Sequence, residues 1–257
     1  MESMTGHMQV NNFYFIECID PNESKSTNAL ALYNDIVSKM NIFDSDIDTE
    51  YFEIETKTDF LNRLDWIEGK DITNKNVLIH IYLHGSKNRD GLLANDRILI
   101  TWQEILEKTR SINVKSHNKL FLILALCHGK HIGEKLNIKL KSPFNSLIAS
   151  NYEEYVDDIY NLFQKFYNNL VFDNNVVRAF TEAQTEKDNY FFKNTHKIIE
   201  EVFKKYVQER EQILPKLYQE FLQIENAPKI SFKEYDILNK RTLPEILQNM
   251  ENEFFIR

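Results

Sequence analysis

No apolar run in the chain approaches the roughly 18–20 residues of a membrane-spanning helix, so no such span is expected. A basic excess is missing as well: 31 Lys and Arg stand against 39 Asp and Glu, for a net charge of −8 and a pI near 5.5. With no surplus of cations to neutralise phosphates, direct nucleic-acid binding is not expected. Cysteine is scarce. Cys18 and Cys127 are the only two, and no secretory leader is read ahead of them. A disulfide framework is therefore not expected, and a reducing, cytoplasmic compartment is. HExxH, paired CxxC and P-loop patterns are all absent, so neither a metal nor another cofactor is expected. Glycine numbers six and stops at Gly133, which removes the strongest turn signal from the second half of the chain.

What is present is an ordinary globular composition, 42% hydrophobic and 27% charged, in 257 residues that can bury a sizeable core. Residues 1–8 (MESMTGHM) read as a tag remnant around Gly6-His7-Met8 and carry no functional weight. The organising stretch is 119–129, KLFLILALCHG, in which the apolar run 120–126 is stopped by Cys127, His128 and Gly129. A short all-apolar run closed this way predicts a fully buried, parallel strand. Upstream, 76–85 (NVLIHIYLHG) repeats the design and ends in His84 and Gly85. In open parallel sheets function collects beyond the carboxyl ends of the strands. One strand delivering a histidine there and another a cysteine point to a Cys–His catalytic pair.

Taken in order, 12–20 is an aromatic and β-branched strand, closed by Pro21 and Asn22. Ser26 or Thr27 caps a helix over 29–40; 51–56 is a second strand, and 58–67 a short helix ended by Gly69. After the third strand, 77–83, two apolar pairs flank Asn95-Asp96 in 91–101, the pattern of a small hairpin. Thr101 with Glu104 has capping-box spacing and opens a helix to about 110. Residues 146–150 (SLIAS) form a further strand, 155–171 an amphipathic helix and 175–185 another. Strands alternating with helices predict an α/β fold with a mostly parallel sheet. From 186 onward a charged helical extension is expected, its stripe counted from Phe191 and Phe192. Pro215 would kink or split it, and Pro244 would sit in the first turn of a last helix over 243–255.

These residues resemble the caspase-like cysteine peptidases, and more narrowly their bacterial CHAT-type branch. That family carries a His-Gly after one core strand and a Cys after the next, as His84-Gly85 and Cys127 do here. Cys127-His128-Gly129 matches a Cys-x-Gly pattern 43 positions after His84, near the family spacing of about 50. The hairpin GLLANDRILITWQEIL, the strand SLIAS, Phe166-Tyr167-Asn168-Asn169-Leu170 and the Ala179…Ala183 helix add to the likeness, which covers roughly 10–185. The resemblance implies a caspase-like three-layer fold over 9–185 and a cytosolic cysteine endopeptidase acting on a protein substrate. It also implies control by a partner or sensor protein, for which residues 186–257 are the expected contact, in bacterial stress or antiphage defence. An oxyanion hole from the backbone N–H groups of Gly85 and Cys127 belongs to the same implication. Metacaspase-type relatives have an Asp two residues before the cysteine; this chain has Ala125, which leaves selection of a basic substrate side chain open.

The chemistry asked of the pair is specific. A thiol of ordinary pKa, about 8.5, is mostly protonated at neutral pH, so Cys127 needs a base. His84 can take that proton and return it to the leaving amine. No third, orienting residue stands out. Asp90 and Asp96 lie near the site and are candidates for binding a basic side chain, with a turn role as the plainer alternative. Cys18, His80, Trp66 and Trp102 are expected to be packing residues, His128 to point away from the chemistry, and His117 and His131 to face solvent. Two other functions stay open: a catalytically silent caspase-like module that works by binding, and a different Cys–His hydrolase or acyl transferase.

Overall fold

The computed structural model describes residues 8–18, 29–43, 46–137, 140–153, 155–185, 189–224 and 228–254. The rest of the tag stretch, the Pro21-Asn22 turn, the Ser26/Thr27 cap and Glu186 lie outside the described residues. In chain order the elements are β1 (Asn12–Cys18), α1 (Ala29–Phe43), β2 (Asp48–Glu53), α2 (Lys57–Gly69), β3 (Val77–Gly85) and the hairpin β4 (Gly91–Leu93) and β5 (Leu99–Thr101). Then follow α3 (Trp102–Lys115), β6 (Leu120–Leu124), a 3₁₀ turn (Gly129–Lys135), β7 (Ser146–Ser150), α4 (Val156–Asp173) and α5 (Val176–Ala183). The chain continues through β8 (Tyr190–Asn194), α6 (Thr195–Leu222) and α7 (Phe232–Phe254).

The result is an α/β fold with a mostly parallel central sheet between two helical layers. The sheet order is β2-β1-β3-β6-β7-β8, with every neighbour parallel except β8, which runs antiparallel on β7. Alternation along the strands divides the core in two. Tyr14 and Ile16 of β1, Ile79 and Ile81 of β3 and Leu122 and Leu124 of β6 pack against Phe60 and Leu64 of α2 and Ile105 and Leu106 of α3. The intervening Phe13, Phe15, Leu78, Tyr82, Phe121 and Ile123 face Ile36 of α1, Phe163 and Phe166 of α4 and Phe180 of α5. Burial on both faces is why these strands read as continuous apolar runs rather than alternating ones.

Local signals place the helices. Thr56 and Asp59 form a capping box on α2, and Thr101 and Glu104 form the one expected on α3. Lys57 joins the two caps, donating to Glu104 (2.9 Å) and to the Leu99 carbonyl (3.0 Å). Among the described residues no helix is long and apolar enough to cross a membrane.

Several local expectations need correction. Phe191 and Phe192 belong to strand β8, not to a helical stripe; aromatic residues suit strands, and Asn194 caps α6 only after them, accepting from the Lys197 N–H (2.9 Å). Pro244 lies well inside α7 rather than at its start. The real start is a capping box missed in the sequence: Ser231 Oγ accepts from the Glu234 N–H (3.3 Å) while the Glu234 carboxylate takes the Ser231 N–H (2.8 Å). Strand β2 begins three residues earlier than expected and β6 ends two residues earlier.

Candidate active site

Connections diverge between β1 and β3: β1 leads outward to β2, while β3 leads the other way to β6 and β7. Such a switch point opens a crevice above the carboxyl ends of the strands. His84, next to last in β3, lies beside it, and Cys127 lies in the turn that follows the neighbouring strand β6. Both side chains are half-buried.

The β3–β6 ladder runs from the Val77–Leu120 pair to the Ile81–Leu124 pair, and the Ala125 N–H still bonds the Ile81 carbonyl (2.8 Å) before the chain bends at Leu126 and turns at Cys127. That turn lies against the end of β3, where His84 and Gly85 stand. The backbones touch directly: a β-carbon on Gly85 would lie 2.0 Å from the Cys127 carbonyl oxygen, so only glycine fits there.

The hairpin orients the Gly85 amide. Gly85 pairs with Leu92, and its neighbour Ser86 donates its N–H to the Gly91 carbonyl (2.9 Å). Backbone groups alternate sides along a strand, so the Gly85 N–H faces away from β4. That is the β6 side, toward which the Ile81 carbonyl accepts the Ala125 N–H (2.8 Å). Trp102, buried, closes the loop after Gly85 by donating from Nε1 to the Arg89 carbonyl (2.8 Å).

The turn carrying Cys127 is held from β7. The Ser150 hydroxyl donates to the Leu126 carbonyl and accepts from the Gly129 N–H (3.2 Å), and the His128 N–H bonds the Tyr152 carbonyl (3.0 Å). His128 sits in the left-handed region (φ 62°, ψ 22°) with its ring buried, its Nε2 3.6 Å from the Glu153 carboxylate. His131 is buried rather than solvent-facing, because the 3₁₀ turn folds it inward; its Nδ1 meets Glu134 at 2.8 Å.

The other candidates fall in different places. Asp90, at the base of the hairpin, has a buried Oδ1 with no hydrogen-bond partner among the described residues. Asp96 is at the hairpin's far end, its carboxylate accepting from the N–H groups of Lys57 (3.0 Å) and Ile98 (2.9 Å). Ala125 is fully buried in the α1/α4/α5 core. His80 lies inside β3, stacked on Phe15 and bonded to the Tyr167 hydroxyl through Nδ1 (2.7 Å); burial pushes its pKa down to about 3, so it stays neutral. Cys18 is buried in the core, which raises its thiol pKa, and His117 is exposed and bonded to Asn74.

Two residues at this edge were not singled out in the sequence. Ser150 was visible only as the end of a strand. Glu17, the one charged residue in β1, pairs in register with Tyr82 of β3 and Glu53 of β2. Burial, with the Glu53 charge beside it, pushes its pKa up to about 7. A lone carboxylate inside an apolar strand was the available signal.

No protein-family model and no curated protein sequence matches the chain. Among solved structures it is similar to the Arg-specific cysteine proteinase gingipain R, at 11% sequence identity and a TM-score of 0.46, over 75% of this chain and 49% of that one. The chain thus spans about half the length of the gingipain chain.

Proposed function

We propose that this chain is a caspase-like cysteine endopeptidase with Cys127 as nucleophile and His84 as its acid–base partner. The observation that supports the reading is the close approach of Gly85, the residue after His84, to the Cys127 carbonyl at the ends of the paired strands β3 and β6. His84 takes the Cys127 proton as the sulfur attacks the scissile carbonyl, and the carbonyl oxygen becomes an oxyanion facing the N–H groups of Gly85 and Cys127. Collapse expels the amine, which leaves with the proton from His84, and a thioester remains. Water, deprotonated by His84, then releases the acid and restores the thiol. Asp90, with its buried unpartnered oxygen, is the acid in this scheme that would meet a basic substrate side chain.

The finer reading follows from the sequence resemblance: a CHAT-type bacterial protein in the cytoplasm, with a sensor partner docking on α6 and α7. It is fold-level analogy. Replacing exposed apolar residues of the two helices, Val207 and Ile237, with Asp should weaken partner binding, and unchanged binding in both variants would remove the docking idea.

The deciding experiment is labelling by a peptidyl thiol electrophile, read by intact mass. Wild type should take one adduct, Cys127→Ala none, and His84→Ala should react about 10²–10⁴-fold more slowly. Substrate cleavage that survives in Cys127→Ala overturns the assignment. An unreactive Cys127, together with a tight protein complex indifferent to Cys127→Ala, would identify a binding module instead.

A further inference from the structure

We propose that Ser150 is a positioning residue for the nucleophile, holding from the neighbouring strand the turn on which Cys127 sits; this rests on the reading of Cys127 as nucleophile. The β6–β7 ladder ends at the Leu124–Ala149 pair, three residues short of the cysteine. Beyond it Ala125 still bonds β3 through its N–H, the chain then bends and turns over 126–128, and toward β7 a side chain takes over the hydrogen bonding. Ser150 is fully buried, and its single hydroxyl brackets Cys127: it donates to the carbonyl of the preceding residue, Leu126, and accepts the N–H of Gly129, two residues on. Between them His128 holds a left-handed conformation (φ 62°), uncommon for a residue with a side chain. Gly129 is pressed against the same strand, where an added β-carbon would lie 3.0 Å from Ala149 Cβ.

This arrangement sets where the sulfur sits relative to His84 and to the Gly85 N–H. Removing the hydroxyl leaves a buried carbonyl and a buried N–H without their partner, and the turn relaxes to satisfy them. The relaxation moves Cys127 against two groups that stay fixed on β3. Small displacements of this kind cost reaction rate far more than they cost the fold.

Two probes separate positioning from simple destabilisation. Iodoacetamide needs only a thiolate, whereas a peptidyl acyloxymethyl ketone also needs the oxyanion donors and the correct approach. In Ser150→Ala the peptidyl reagent should react about tenfold to a hundredfold more slowly. The high-pH limiting rate with iodoacetamide should stay close to wild type. Ser150→Thr, which keeps the hydroxyl, should recover the peptidyl rate. If Ser150→Ala does not fold, Ser150→Cys, of similar size but a weaker hydrogen-bonding group, is put to the same two probes. Equal losses with both reagents, or none with either, would overturn the positioning role while leaving the nucleophile in place. A wild-type Cys127 that ignores the peptidyl reagent overturns the nucleophile reading itself, and the role of Ser150 with it.

Discussion

Helices α4 and α6 both repeat apolar residues at helical spacing, yet they end in different surroundings. In α4, Leu162, Phe163, Phe166, Tyr167 and Leu170 are all buried against the sheet, while in α6 Val202 and Val207 remain 39% and 51% exposed. The first helix covers a sheet face that is mainly apolar, and the Tyr167 hydroxyl on the helix satisfies His80, the buried polar residue of β3 there. The second begins beyond the antiparallel edge strand β8 and packs chiefly on α7, through the Arg210–Asp236 ion pair and the Tyr206–Asn239 hydrogen bond. Its solvent side carries pairs such as Glu200–Lys204. The tail nevertheless returns to the sheet: Phe254 is fully buried and its carbonyl accepts the Ser142 N–H (2.8 Å), in the segment between the Cys127 turn and β7. Spacing therefore identifies a helix with an apolar face, and the neighbouring layer decides how much of that face it hides.

The comparison can be broken most directly by truncation. Phe163→Ala should destabilise the protein by about 3–5 kcal/mol and Val207→Ala by no more than about 0.5 kcal/mol, measured by denaturant unfolding. Comparable losses would mean that α6 is covered after all. A sharper contrast lies at the sheet edge. Gly85→Ala forces its β-carbon into the Cys127 carbonyl and should slow peptidyl labelling at least about 10²-fold, roughly 2.7 kcal/mol. Undiminished labelling would show that the contact has no part in the site.

The smallest effect concerns two carboxylates in the two regions. Glu17 at the sheet edge has a pKa raised to about 7 from 4.5, whereas Glu200 on α6 is lowered by Lys204. For Glu17, folded and unfolded chains both hold the proton below pH 4.5, and nothing is lost. Between 4.5 and 7 the unfolded chain releases its proton first, so stability falls, and above 7 the loss is complete. Glu17→Gln should thus stabilise the protein at pH 8 by about 1–2 kcal/mol, allowing for partial exposure, and by nothing near pH 4. Glu200→Gln should lack any such gain at pH 8. A flat profile for Glu17→Gln would remove the burial argument.

Much of this was legible from local pattern, because the physics behind it is local. Continuous apolar runs ending in His84-Gly85 and in Cys127 mark strands buried on both faces. The Thr101–Glu104 cap acts within one helical turn, and Asn95-Asp96 lies in the turn it announces. Local pattern failed where a partner far along the chain supplies the stabilisation. Tyr190-Phe191-Phe192 becomes a strand only because β7 offers a free edge. Proline 244 stays inside α7 because the helix starts at Ser231 and its far end is anchored by Phe254. His131 is buried by the fold of a 3₁₀ turn that no periodicity announces.

By itself, then, the sequence determined the buried parallel strands, the Thr101–Glu104 helix cap and the two residue types near the ends of adjacent strands. The separation between His84 and Cys127 was readable too, but its meaning was not. Only the tertiary structure made that separation equal to the β3–β6 offset, which brings the turn after β6 against the end of β3. It alone brought Ser150 under the Cys127 turn and Glu17 beside Glu53. Register and face are properties of paired strands, set by which partner each ladder finds, and a single chain read in order carries no ladder.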